Sequence, residues 1–186
     1  MALPNEAKLI VCVADGTGGI SGGAKAAELF VDGVRRATLD SSFGINDPAA
    51  WIALLEALDK EIALDPLAGE TTGVALVVAS GMIVGASCGD SKAYLYGPSG
   101  WQELTSCQLR KPRLGTGQAK AKAFLTEAHG TLVVGTDGLF DYVSLDDMAP
   151  ILLRASDEAG NALVRLVLDQ HKRLLDDISV VVWWSD

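Results

Sequence analysis

Three short apolar runs in this chain each abut an aspartate. Residues 9–14 (LIVCVA) lead into Asp15, residues 131–135 (TLVVG) lead through Thr136 into Asp137, and residues 178–184 (ISVVVWW) follow Asp176 and Asp177. Continuous runs of this kind are consistent with strands buried on both faces. A carboxylate at the rim of such a strand is costly to desolvate unless it is paired, hydrogen-bonded or bound to a metal. A fourth aspartate, Asp90, sits in a turn of sequence CGDS (residues 88–91). Few basic residues stand beside these four. If the fold brings them together they repel one another, and a hard divalent cation is the simplest remedy. All-oxygen ligation selects Mg²⁺, Mn²⁺ or Ca²⁺ over zinc or copper. Taken singly, each is also an ordinary turn residue, since Asp-Gly is a common turn pair. Asp147 and Asp157 need no role beyond capping helices.

The segments between these runs alternate in period. After a glycine-rich loop over residues 15–23, a helix is predicted over 24–38, with Ala26, Phe30, Gly33 and Ala37 along one stripe. A second begins at Asp47 as N-cap and Pro48 in the first turn, with Trp51, Leu55, Leu58 and Ile62 at helical spacing. Four short runs then follow at 74–79, 82–87, 92–96 and 101–104, separated by Gly-containing turns, and read as an antiparallel meander. A basic, irregular stretch covers 108–122. Beyond the run at 131–135, Ser144 and Asp147 resemble a capping box ahead of Met148, Ile151 and Leu152. Asp157 caps a longer predicted helix with Leu163, Val167 and Leu174 facing inward. The resulting order is β-α-α-β-β-β-β-β-α-α-β. Helices in pairs between groups of strands fit sheets packed together with helices outside, rather than a doubly wound parallel sheet.

Composition narrows the partners. The 186 residues suit one compact domain, residues 1–186, and a hydrophobic share of 49% against 21% charged excludes disorder for the bulk of the chain. A formal net charge of −9 argues against nucleic acid or an anionic membrane as the main partner, and leaves cations as natural ligands. Cys12, Cys88 and Cys107 form no CxxC pair, so a reducing, cytoplasmic setting is expected. The first residues lack the basic flank and apolar core of a signal peptide. The longest apolar stretch, 74–88, is broken by Ser80, Gly81 and Gly85 and falls short of a membrane span.

Five strings occur in order: VADGTGG (13–19), ETTG (70–73), CGDSKAY (88–94), GTDGLFD (135–141) and DDISVVV (176–182). Together they resemble the successive signature motifs of the metal-dependent Ser/Thr protein phosphatases, the protein phosphatase 2C (PPM) family, in its compact bacterial form. The resemblance implies an α+β fold, a four-layer α/β/β/α sandwich of two mainly antiparallel sheets flanked by helix pairs. It implies hydrolysis of phosphoserine or phosphothreonine on a protein substrate by a water shared between two Mn²⁺ or Mg²⁺ ions. On that pattern Asp15 bridges the two ions with the Gly16 carbonyl as a further ligand. Asp137 and Asp176 hold the first ion, and Asp90 supports a third, weaker one in bacterial relatives. Asp177 stands where many members carry Asn and is read as a neighbour of the site.

The chain departs from the family at its start. Only eight residues precede Leu9, Asn5-Glu6 is a remnant of the usual acidic pair, and no Arg occurs before Arg35. The residue that holds the substrate phosphate is thus unassigned, with Arg110, Lys111 and Arg113 as candidates by charge alone. The family's lid-like insertion is reduced to about 106–120. A phosphatase-like module that binds a phosphoprotein without turnover is the alternative reading. Other motifs fail on chemistry. Cys107 and Arg113 have Cys-x5-Arg spacing, but no Gly lies between them and Pro112 removes an N–H from any phosphate cradle. Gly18 and Gly23 are spaced as in a P-loop, yet Ala24-Lys25 follows where Lys-Ser/Thr is required. His129 and His171 have no nucleophile partner and read as structural.

Overall fold

The computed structural model describes residues 8–17, 22–154 and 156–185. Eight strands form two sheets of four, each antiparallel throughout. The first has the order β1-β2-β3-β6, from β1 (Leu9–Val13), β2 (Gly73–Ala79), β3 (Met82–Cys88) and β6 (Lys122–Glu127). The second has the order β5-β4-β7-β8, from β5 (Gly100–Glu103), β4 (Lys92–Gly97), β7 (Thr131–Gly135) and β8 (Val180–Trp184). Helices α1 (Gly23–Leu39) and α2 (Pro48–Leu64) cover the first sheet. The short α3 (Asp137–Phe140), α4 (Leu145–Leu152) and α5 (Ala159–His171) cover the second.

Strand alternation explains the layers, because successive side chains point to opposite faces. In β2, Ala75, Val77 and Ala79 pack under Phe30, Trp51, Leu55 and Ile62 of the first helix pair. Their neighbours Val74, Leu76 and Val78 turn inward to meet Leu95, Leu132 and Val134 of the other sheet. Val133 then faces out again, against Leu139, Met148, Leu152, Leu163 and Val167. Both central strands are buried on two sides, which is why they read as unbroken apolar runs. The α+β sandwich expected from the sequence is therefore present.

Local capping also follows the sequence. The Asp47 carboxylate accepts from the Ala49 N–H with Pro48 in the first turn, and the Ser144 hydroxyl accepts from the Asp147 N–H. No described helix is long and apolar enough to cross a membrane. Asn5, Glu6 and Gly18, along with the His171 side chain, lie outside the described residues.

Four expectations need correction. The runs at 74–104 do not form one meander. β2 pairs with β3 and β4 with β5, but the turn at Gly89, in a left-handed conformation (φ 108°), carries the chain from one sheet to the other. The expected order lacks the edge strand β6, which begins on β3 where the irregular stretch ends; one face of it is solvated, and Lys122 and Glu127 interrupt the apolar pattern. Helix α5 starts after Glu158 without a side-chain cap, so Asp157 does not cap it. It ends at His171, leaving Leu174 beyond it and 45% exposed.

The segment 106–120, expected as what remains of the family's lid, is tied to the core. The buried carboxylate of Asp59 on α2 (1% exposed) accepts from the N–H groups of Gly115 and Gly117 through Oδ1, at 2.8 and 3.0 Å, and of Ala119 through Oδ2, at 2.9 Å. Leu114 exchanges both backbone bonds with Thr71, and its side chain is fully buried beneath the first helix pair. This segment is a strap stitched to the core. Leu114→Ala is expected to cost about 2–5 kcal/mol in urea unfolding, as a buried leucine does. A cost below about 0.5 kcal/mol, the value for surface positions, would mean that the strap swings free.

Candidate metal centre

The two Asp-Gly pairs end strands that lie in different sheets, and the threonine pair Thr71-Thr72 fixes the first of them. The Asp15 N–H donates to Thr72 Oγ1 (3.1 Å), and its carbonyl accepts from the Thr72 N–H and the Thr71 hydroxyl, both at 2.9 Å. Thr72 Oγ1 in turn shares a 2.6 Å hydrogen bond with Ser91 Oγ, next to Asp90. The ETTG and GDS strings are thus joined through side chains. Thr136 plays the matching part in the second sheet. Its hydroxyl donates to the Asp177 carbonyl and accepts from the Ser179 N–H, each at 3.1 Å, which ties Asp137 to the Asp176-Asp177 segment.

The glycine after each aspartate is there because the backbone passes too close for a side chain. A Cβ at Gly16 would lie 2.3 Å from the carbonyl of Gly23, and one at Gly138 would lie 2.3 Å from the carbonyl of Asp177.

Asp15, Asp90, Asp137, Asp176 and Asp177 line a single open pocket of about 370 Å³, with Gly16, Thr17, Thr72 and Arg113 completing its wall. Every residue singled out as a ligand from the sequence reaches this pocket. Asp15 and Asp137 are in hydrogen-bonding contact, and Asp137 Oδ1 is buried with no hydrogen-bond partner. Burial, followed by the charge of Asp137 and its hydrogen bond, then those of Asp176 and Asp90, pushes the Asp15 carboxyl up to about 6. Burial and the charges of Asp90 and Asp176 raise Asp137 as well. Ionising the second of two such neighbouring carboxyls is disfavoured by the charge of the first, and a proton or a cation between them relieves it.

Among the described residues, no three His, Cys, Asp or Glu side chains close on one point as a ready-made metal cage. The donor set is all oxygen and suits hard ions that keep part of their water. An orphaned buried oxygen, a carboxylate pair in contact and an all-oxygen wall fit Mn²⁺ or Mg²⁺ on chemistry.

Asp90 differs from the others. Its Oδ2 accepts from Arg110 Nε (3.4 Å) and Nη2 (3.2 Å) and from Arg113 Nη2 (3.0 Å), so two guanidinium groups already balance it. A further ion there has Oδ1 to bind through. Sequence reasoning offered Arg113 by charge alone and did not find Thr72 or Thr17. The ETTG string was the signal for Thr72. The remaining candidates stand apart. Burial pushes the Cys12 thiol up to about 12 and the Cys88 thiol up to about 11, which makes both poor nucleophiles. Cys107 is exposed, and His129 pairs with Glu127 at 3.4 Å on the surface.

No protein-family model matches the sequence, and no curated protein matches it. The fold, by contrast, is found among solved structures. A bacterial serine phosphatase superposes with TM-score 0.81 at 19% identity, covering 97% of this chain and 86% of that one. The serine/threonine phosphatase Stp1 from Staphylococcus aureus gives 0.80 at 19% identity, covering 98% and 84%. The catalytic domain of the serine/threonine protein phosphatase PstP, in complex with two manganese ions, gives 0.78 at 22% identity, covering 98% and 92%. The chain has the fold of the bacterial serine/threonine phosphatases.

The raised Asp15 value carries a pH signature. A carboxyl whose folded pKa lies above its unfolded one stabilises the fold at low pH, and that contribution is lost as pH rises through about 4 to 6. In chelator, Asp15→Asn is therefore expected to gain in melting temperature over the wild type as pH is raised from about 4 to 7. Added Mn²⁺ should reverse the order at neutral pH. Melting curves that run parallel under all these conditions would remove the electrostatic account.

Proposed function

We propose that this chain is a metal-dependent phosphoprotein phosphatase of the protein phosphatase 2C family, acting on phosphoserine or phosphothreonine. The observation that carries the reading is the contact between the Asp15 and Asp137 carboxyls in a pocket that also holds Asp176, with Asp137 Oδ1 unpartnered. The shared fold, and the two manganese ions of the PstP catalytic domain, support it. Such ions, when bound, lower the pKa of a shared water and neutralise phosphoryl oxygens during in-line displacement.

The protein's own part is to hold that arrangement. Asp15, with the Gly16 carbonyl beside it, would serve both ions, and Asp137 and Asp176, from the segment around the second sheet, would hold the first. Asp90 would be the remaining ligand, for a weaker third ion, through the oxygen that the arginines leave. The described residues that line the pocket include no Cys, Ser, Lys or His, and the reading is direct attack by water with no covalent enzyme intermediate.

The test is turnover of a phosphopeptide and of an aryl phosphate with added Mn²⁺, abolished by a chelator. Asp15→Asn and Asp137→Asn should each lower kcat/KM by more than about 100-fold, since even partners that only orient a ligand cost 10- to 100-fold. Full activity in either folded variant would refute the assignment. A wild type that binds Mn²⁺ and phosphopeptide without turnover would leave a phosphoprotein-binding module instead.

A further inference from the structure

We infer that Arg113 is the residue that binds the substrate's phosphoryl group, supplied by the strap at residues 106–120 rather than by the N-terminal strand. The inference rests on the phosphatase reading for the identity of the substrate. Its basis is geometric. Among the described residues that line the acidic pocket, Arg113 is the one cationic side chain. It faces four carboxylates besides Asp90.

The guanidinium is fixed but underused. Arg113 is 20% exposed and makes one side-chain hydrogen bond, from Nη2 to Asp90 Oδ2 at 3.0 Å. Its Nε is buried without a partner. A guanidinium carries five N–H donors in a planar fork that matches two oxygens of a phosphate, so most of its capacity is unspent at the pocket wall. Arg110 meets the same Asp90 oxygen from outside: it is 72% exposed and does not line this pocket. Because Arg110 shares Asp90, an incoming anion can draw on Arg113 without leaving that carboxylate unpaired.

The position is held from both sides of the residue. Leu114, immediately after it, is pinned to Thr71 and buried, and Asp59 anchors Gly115, Gly117 and Ala119. Leu109, before it, accepts from the Gly89 N–H at 3.0 Å, and Gln108 Nε2 donates to the Ser91 carbonyl at 2.8 Å. A binding group held on such a strap arrives preorganised, which limits the entropy lost on binding.

The experiment is calorimetric titration of inorganic phosphate into the full chain with saturating Mn²⁺. Arg113→Ala should weaken phosphate binding roughly 10- to 100-fold, the span for a lost hydrogen bond to a charged group. Arg113→Lys, which keeps the Asp90 ion pair but loses the fork, should fall between the two and guards against misfolding of the alanine variant. In turnover of a phosphopeptide, KM should rise in step with the phosphate dissociation constant. Wild-type phosphate affinity in Arg113→Ala overturns the inference. So does an equal loss in Arg110→Ala, which would mark a general charge effect, or a loss of Mn²⁺ binding in Arg113→Ala. A wild type that binds phosphate through Arg113 yet turns nothing over supports this assignment and defeats the phosphatase reading alone.

Discussion

Like charges held within hydrogen-bonding distance are the constraint around which this molecule is arranged. Asp15 and Asp137 come from different sheets, and Asp176 joins them from the segment before β8. Nothing about their mutual repulsion favours the approach, so the rest of the structure must impose it. Two antiparallel sheets with buried central strands supply the rigid frame. Thr71, Thr72 and Thr136 seat the backbone at the strand ends, and Gly16 and Gly138 permit chain crossings that a Cβ would block. A raised Asp15 pKa and an unpartnered Asp137 oxygen mark the cost of that approach, which a bound cation would relieve.

Positive charge is used sparingly against that background. The chain as a whole carries a formal −9, and in the pocket wall a single described arginine stands among five aspartates. Asp90 separates the two halves of the site: its Oδ2 belongs to the arginine side, while its charge acts on Asp15 and Asp137. Under the proposed function, the acidic floor would hold ions and the one cationic wall a phosphoryl group. That division of labour is the functional content of the arrangement proposed above.

Much of this was legible from residues alone, for reasons that can be named. Buried strands advertise themselves as unbroken apolar runs, and aspartates at their rims are conspicuous because desolvation makes them costly. Periodicity, however, identifies a strand without saying which sheet it joins. The switch at Gly89 turned an expected meander into two sheets, and the solvated edge strand β6 has too few buried positions to show in its pattern. Arg113 could be offered from sequence by charge alone, alongside Arg110 and Lys111, for a different reason. Its placement depends on Asp59, some fifty residues away, holding the N–H groups of a strap that carries no periodic signal. The family-like strings located the aspartates that line the pocket, but the arginine that faces them comes from a segment outside every motif.

The central claim is that separate strand ends build one pocket for two hard ions. Crystals grown with excess Mn²⁺ and measured at the manganese edge test it most directly. The account predicts two anomalous peaks per chain, one flanked by Asp15, Asp137 and Asp176 and the other sharing Asp15. Peaks scattered over surface carboxylates, with the Asp15–Asp137 pocket filled by water alone, would contradict it.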